Sequence, residues 1–227
     1  MIPWLETPDF PPVEQALEEP NGLLAAGGRL APEWLVAAYR RGIFPWFSEG
    51  EPILWWSPDP RMILRPGQVR VSRSLRKTLR RQVFELRIDT AFAQVMRQCG
   101  QMRAHTTGTW ITPAMEQAYV ALHRAGYAHS IESWQDGQLV GGLYGVALDR
   151  AFFGESMFSQ ATDASKVALV HLSECLEARG FGVIDCQMTT AHLRSMGGVE
   201  IPRAQFAREL EHWVGATPAA QHWSDLR

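Results

Sequence analysis

The sequence predicts an α+β fold, an α/β sandwich in which a mostly antiparallel sheet is flanked by helices, preceded by a small N-terminal domain. Three observations predict it. Composition shifts near residue 60, from a stretch rich in Pro, Gly and Trp to ordinary amphipathic segments. Residues 129–158 hold three strand-like runs separated by short turns. An apolar-faced helix pattern then leads directly into a short apolar strand, VIDCQ.

Taken in order, residues 1–60 form the small domain and 61–227 the larger one. In the first, Pro32 stands where a first helical residue belongs, Trp34, Leu35 and Ala38 make an apolar stripe, and Gly42 follows as a stop. The larger domain opens with a basic helix over Ser72–Arg81, with Leu75 and Leu79 on its buried side. Asp89 is expected to cap a second helix ending near Gly100, and Thr112-Pro113 opens a third that Gly126 closes. HSIESW, QLVGGLYGVA and AFFGESMF, joined at Asp136-Gly137 and Asp149-Arg150, read as an antiparallel meander. Thr162 or Asp163 caps a helix with Ala168, Leu169, Leu172, Cys175 and Leu176 on one face, and Gly180 ends it. VIDCQ follows as a strand, then short helices near 190–196 and 202–213. Helices, a three-stranded meander, a helix and a strand make the order of an acyltransferase core of the N-acetyltransferase type.

Composition excludes several classes. Apolar residues are 46% and charged residues 20% of the 227, as in ordinary globular chains, and no apolar run approaches the roughly 20 residues of a membrane helix. MIPWLETPDFPP has neither a basic start nor a continuous apolar stretch, so no signal peptide is expected. Cys99, Cys175 and Cys186 are an odd set without a C-x-x-C pair, which suits a reducing cytoplasm. The net charge of −2 conceals a local excess. Arg61, Arg65, Arg70, Arg73, Arg76, Lys77, Arg80, Arg81 and Arg87 are nine of the 22 basic residues, with only Glu85 acidic among them, which fits a local polyanion site.

Polar residues on apolar strands mark the candidate chemistry. Asp185 and Gln187, two apart in VIDCQ, would share one face of a strand, where the carboxylate could orient the carboxamide; a satisfied structural hydrogen bond reads equally well. Glu155 inside AFFGESMF tilts the balance toward a site. Trp46, Trp55, Trp56 and Trp110 occur among turn residues, where flat rings beside a basic segment could stack a nucleobase; packing is the plainer role for most of the nine Trp. GESMF lacks the second Gly of a nucleophile elbow, and no zinc signature, P-loop or G-x-G-x-x-G is present. The glycine-rich turn that cradles coenzyme A pyrophosphate is also missing, with SQATDASK in its place. The pattern suggests acyl transfer without the usual acyl donor.

Ten blocks in order carry a resemblance: EPNGLLAAGG, AYRRGIFPWF, PILWWSPDPR, GTWIT, AHSIESW, LVGGLYGVA, FFGESMFS, ASK, IDCQ and GGVEIPR. Over roughly residues 10–210 the chain resembles the leucyl/phenylalanyl-tRNA–protein transferase family. The resemblance implies transfer of Leu or Phe, and Met less well, from aminoacyl-tRNA to proteins beginning with Arg or Lys, marking them for N-end-rule degradation. It implies an acetyltransferase-like (GNAT) catalytic domain, a cytoplasmic monomer with no membrane partner, and neither metal nor cofactor, since the tRNA ester is already activated.

By residue, the resemblance implies that the side-chain oxygen of Gln187 accepts from the attacking amine while Asp185 polarises Gln187, and it places Glu155 at the site, where a buried carboxylate would bind the acceptor's cationic N-terminus through a charge-assisted contact. Phe152, Gly154, Met157, Leu169, Ile184 and Leu143 would line the aminoacyl pocket. Trp46 and Trp110, with Tyr39 and Tyr119 as further candidates, would hold the terminal adenosine. Arg73, Arg76, Lys77, Arg80 and Arg81 would follow the tRNA backbone. Leu143 stands where some relatives carry Met, and the tail after Trp213 departs from the family pattern. A coenzyme-A-dependent N-acetyltransferase, a non-catalytic RNA-binding module and the peptidoglycan-building aminoacyl-tRNA transferases remain as alternatives. The missing pyrophosphate turn, the polar triad and the EPNGLLAAGG and GIFPWF blocks respectively weigh against them.

Overall fold

The computed structural model of the chain describes residues 2–104, 110–221 and 223, so Gly108 and Thr109 of the GTWIT block lie outside the described residues. Four short strands, β1 (Trp4–Leu5), β2 (Leu23–Gly27), β3 (Phe44–Pro45) and β4 (Leu54–Trp56), form a first sheet in the order β1-β2-β4-β3. Helix α1 (Pro32–Tyr39) starts on a proline, whose missing N–H has no partner to lose at that position, and buries Trp34, Leu35, Ala38 and Tyr39. Trp34 stacks on Trp55 at 6.2 Å and Phe10 meets Trp55 edge-on at 4.8 Å. Large rings let a short segment bury much apolar area with few residues.

The second sheet has seven strands: β5 (Arg61–Leu64), β6 (Glu85–Ile88), β7 (Ala128–Gln135), β8 (Gln138–Leu148), β9 (Ala151–Ser159), β10 (Val183–Asp185) and β11 (Val199–Ile201). Their order is β11-β5-β10-β9-β8-β7-β6, antiparallel throughout except for β9 and β10. The predicted meander is present, with Asp136 and Gly137 both at positive φ in its first turn. Alternation along β8 divides the core. Tyr144, Val146 and Leu148 belong to the cluster with helices α3 (Phe92–Ala104) and α4 (Pro113–Arg124), whereas Leu143 and Ala147 join the one with α2 (Arg73–Arg81) and α5 (Ala164–Ala178). A Cβ on Gly141 would come within 2.4 Å of the Ala164 Cβ, so this glycine lets the start of α5 approach the sheet. Helices α6 (Ala191–Ser195) and α7 (Arg203–Trp213) complete the chain's regular elements among the described residues.

Hydrogen bonds tie the two sheets together through residues of the recurring blocks. Asn21 donates to the Asp59 carbonyl and accepts from its N–H, while Asp59 accepts from the Arg203 N–H and the Arg203 guanidinium donates to the Ser57 carbonyl. The EPNG, SPDP and EIPR motifs are therefore partly architectural.

Several expectations need correction. Asp89 does not cap α3: it sits at φ +58 and accepts from the Ser130 N–H and His129, and the N–H of Ala91 goes instead to Glu132 of β7. The helix also runs through Gly100 to Ala104. At α5, the Asp163 side chain turns to Thr78 and Lys166, and Ser159 Oγ accepts from the Ser165 N–H. Strands β5, β6 and β11 had no sequence counterpart. VIDCQ is extended only to Asp185, and Gln187 lies beyond the strand at φ +62. Among the described residues no helix is long and apolar enough to cross a membrane.

Candidate active site

Strand β10 pairs with β9 only from Val183–Ala151 to Asp185–Phe153, after which the two chains part. Gly154–Met157 on one side and Cys186–Met188 on the other line the cavity that opens in this wedge, of about 690 Å³. A volume in that range suits a ligand rather than a few waters.

At this point β9 carries a bulge. Opposite Tyr144 and Gly145, neighbours on β8, stand Ser156 and Gly154, so Glu155 has no ladder partner. The phase of the strand changes with it. Phe153 and Phe158 reach the same core cluster although five residues apart, and Phe152 and Met157 pack with the other. The extra residue re-aims its side chain, a frequent use of bulges beside functional sites.

That side chain enters a buried polar network. Glu155 Oε1 accepts from the Tyr39 hydroxyl at 2.6 Å and from Gln187 Nε2 at 2.8 Å, and Oε2 accepts from the Tyr119 hydroxyl at 3.2 Å. The two tyrosine hydroxyls also touch each other. Burial pushes the Glu155 carboxyl up to about 7, the hydroxyl donors pull against that, and the Asp185 charge adds to it. Burial, followed by the Glu155 charge, holds both tyrosine hydroxyls well above their ordinary range, so they remain neutral donors.

Asp185 has a different assignment from the one its spacing suggests. Its carboxylate is fully buried in a two-pronged ion pair with Arg61, at 2.8 Å to Nε and 2.7 Å to the terminal nitrogen, and Oδ1 accepts from the Gln187 backbone N–H at 2.9 Å. It therefore holds the left-handed backbone of Gln187, and Glu155 orients the carboxamide. The amide donating to Glu155 leaves Gln187 Oε1 without a hydrogen bond among the described residues. Arg61 is clasped between the rings of Phe44 and Phe206, at 5.0 and 4.7 Å, so it is no part of a polyanion surface.

Leu143, Phe152, Gly154, Met157, Leu169 and Ile184 all line the cavity, joined by Leu172, Cys186, His192 and Leu193, which sequence reasoning missed. Trp46 and Trp110 also line it, along with Phe44, Phe47 and Trp56. Trp46 is 39% exposed and packs edge-on against Trp56 at 5.4 Å. Tyr39 and Tyr119 cannot stack a base, because both are wholly buried with their hydroxyls on Glu155. The available signal was helical spacing, four residues after Leu35 and Met115, which places each tyrosine on a core face where its hydroxyl requires a partner.

Helix α2 presents Arg73, Arg76, Lys77, Arg80 and Arg81 to solvent, none in an ion pair among the described residues. Its buried Leu75 packs into the cluster that contains Leu143, Phe152 and Leu169, which places the basic face on an element backing the cavity wall. Arg65 and Arg87 are paired with Glu209 and Glu85, and with Arg61 they leave the basic excess smaller than the sequence count.

Two family models match the chain. "Leucyl/phenylalanyl-tRNA protein transferase" covers residues 63–211, and the N-terminal domain of the same name covers 28–59. Proteins called leucyl/phenylalanyl-tRNA–protein transferase are similar over almost the whole length. That of Azoarcus sp. (strain BH72) is 66% identical over 225 residues, 99% of this chain and 96% of that one. The Aromatoleum aromaticum protein is 65% identical over 99% of this chain and 95% of its own. For Nitrosomonas europaea the figure is 63% over 90% and 86%.

Proposed function

This chain belongs to the leucyl/phenylalanyl-tRNA–protein transferase family, and from that premise we propose that the wedge between β9 and β10 is where its reaction takes place. The enzyme moves Leu or Phe, and Met less well, from aminoacyl-tRNA to the α-amino group of proteins beginning with Arg or Lys. A peptide bond forms, the tRNA 3′-hydroxyl leaves, and the product is marked for N-end-rule degradation. The observation that carries the site is the Glu155–Gln187 hydrogen bond at the edge of a largely apolar cavity.

In this reading the aminoacyl side chain occupies the region of Leu143, Phe152, Gly154, Met157, Leu169 and Ile184. Unbranched Met157 gives the wall enough adaptability to take Leu or Phe. Trp46 and Trp110 flank the terminal adenosine. Gln187 Oε1, its amide anchored by Glu155, accepts a hydrogen bond from the acceptor's α-amino group, and Glu155 attracts that group while it is still an ammonium. Positioning is a large part of the catalysis, because ester aminolysis needs a neutral amine held against the carbonyl. Asp185, with Arg61 behind it, fixes the backbone that carries Gln187. The exposed bases of α2 follow the acceptor-stem phosphates without reading sequence. We further assign residues 1–60 and 61–227 to two domains, the second acetyltransferase-like, and place the reaction in the cytoplasm.

The decisive assay mixes the protein with labelled leucyl-tRNA and two peptides, one beginning with Arg and one with Ala. Label should reach only the Arg peptide, with no coenzyme A present. Salt-sensitive tRNA binding without transfer would instead support an RNA-binding module.

A further inference from the structure

Aminolysis of the ester moves protons as well as an acyl group, and the cavity wall has a group arranged to handle them. A carboxylate has about four lone-pair positions. Among the described residues, Tyr39 and Gln187 fill two on Glu155 Oε1 and Tyr119 fills one on Oε2, which leaves a single open position on Oε2 in a residue that lines the cavity. The bulge exposes this side chain to the site, and Gln187 Oε1, the acceptor for the amine, lies on the group hydrogen-bonded to it.

We propose that Glu155 is the proton shuttle of the transfer reaction, acting through the open lone pair on Oε2. This rests on the function assigned above. The α-ammonium of the acceptor gives one proton to the Glu155 carboxylate, and the neutral amine nitrogen bonds to the ester carbonyl carbon. As the bond from that carbon to the tRNA 3′-oxygen breaks, Glu155 returns the proton to the departing oxygen. The nitrogen, still carrying an excess proton, gives it to the regenerated carboxylate, which releases it to water. The sum is ammonium and ester going to amide, alcohol and one proton.

The surroundings fit an acid–base group that works near neutral pH, where a general catalyst is most effective. Burial has brought Glu155 to about 7. The other groups around it do not compete. Tyr39 on α1 and Tyr119 on α4 are held far above neutrality, and Tyr144 on β8 meets Tyr119 edge-on at 6.0 Å. Asp185 on β10 is committed to Arg61 on β5, burial keeps the Cys186 thiol protonated, and His192, though burial favours its neutral imidazole, makes no hydrogen bond to Glu155 or Gln187 among the described residues.

Single-turnover peptide-bond formation, measured from pH 5.5 to 9 on the enzyme saturated with leucyl-tRNA and an Arg peptide, tests the assignment. The wild type should show a limb near pH 7 above which the rate levels, and Glu155→Gln should lose it together with about 10²–10⁴-fold in rate. Leucyl-tRNA affinity should be unchanged within a few-fold. A Glu155→Gln enzyme that is slow but keeps the limb would reduce Glu155 to a support for Gln187, and one within tenfold of wild type would remove it from the chemistry. Tyr119→Phe covers the case in which Glu155→Gln does not fold. Losing a donor to the carboxylate must move the limb to higher pH, and an unmoved limb overturns the shuttle. Wild-type protein that transfers nothing refutes the function itself, a separate failure from either of these.

Discussion

Gln187 adopts φ +62, a conformation that is uncommon for residues with a side chain and costs on the order of 1–2 kcal/mol. Two contacts hold it there, the Asp185 Oδ1 bond to its N–H and the Glu155 bond to its amide. The carboxamide oxygen is thereby aimed before any substrate arrives. Gln187→Ala should accordingly lower turnover by far more than it weakens leucyl-tRNA binding, measured as kcat against equilibrium affinity; normal turnover in the variant would take Gln187 out of the mechanism. Glu155 also leaves a signature in stability. Its carboxyl ionises near 4.5 when unfolded and near 7 when folded, so the folded form binds more protons between those values and loses stability as pH rises through that window. Between pH 5 and 8 the wild type should lose about 2–3 kcal/mol relative to Glu155→Gln in denaturant titrations. A constant difference would mean that Glu155 titrates normally.

At the scale of elements, β5 and β10 are joined by the Arg61–Asp185 pair as well as by their ladder. Removing one charge from a fully buried pair leaves the other uncompensated, which costs about 3–5 kcal/mol. Asp185→Asn keeps the shape and should lower unfolding free energy by that amount; a loss under 1 kcal/mol would show that the pair is not desolvated as described. The same pair explains which elements the sequence disclosed. The meander, α1, α4 and α5 announce themselves because local periodicity and turn residues determine them. Strand β5 begins with a charge whose partner lies 124 residues away, β6 carries Glu85 and Arg87 on a short edge, and β11 has three residues, so none has a local signature. The candidate site divides likewise. The apolar lining and the Glu155, Asp185, Gln187 set were legible, but not their wiring. A left-handed Gln187 and a bulge at Glu155 exchange the roles that strict strand alternation would assign to the two carboxylates. The FFGESMF run does hold a trace of the bulge, since its aromatic positions change phase across Gly154-Glu155.

Across the whole molecule, the charge distribution is the remaining link to function. The net charge is −2, so long-range attraction to a polyanion has to come from a local surface rather than from the chain as a whole. With Arg61 buried and Arg65 and Arg87 paired, all but Arg70 of the remaining basic residues in the 61–87 segment lie on α2, where none is in an ion pair among the described residues. That helix is separate from the wedge where we place the reaction, yet its Leu75 packs into the cluster that lines it. Binding of the stem and chemistry at the ester should therefore be separable. Replacing Arg76, Lys77 and Arg80 by Ala should weaken leucyl-tRNA binding and reduce the slope of log affinity against log salt by about 2–3, close to one per lost phosphate contact. The triple variant should nevertheless match wild type in transfer from leucyl-adenosine, a donor with the same ester and base but no stem. Equal salt slopes in the two proteins would move the stem-binding surface away from α2. A triple variant impaired on leucyl-adenosine would mean instead that these residues support the cavity, through the packing of Leu75, rather than the nucleic acid.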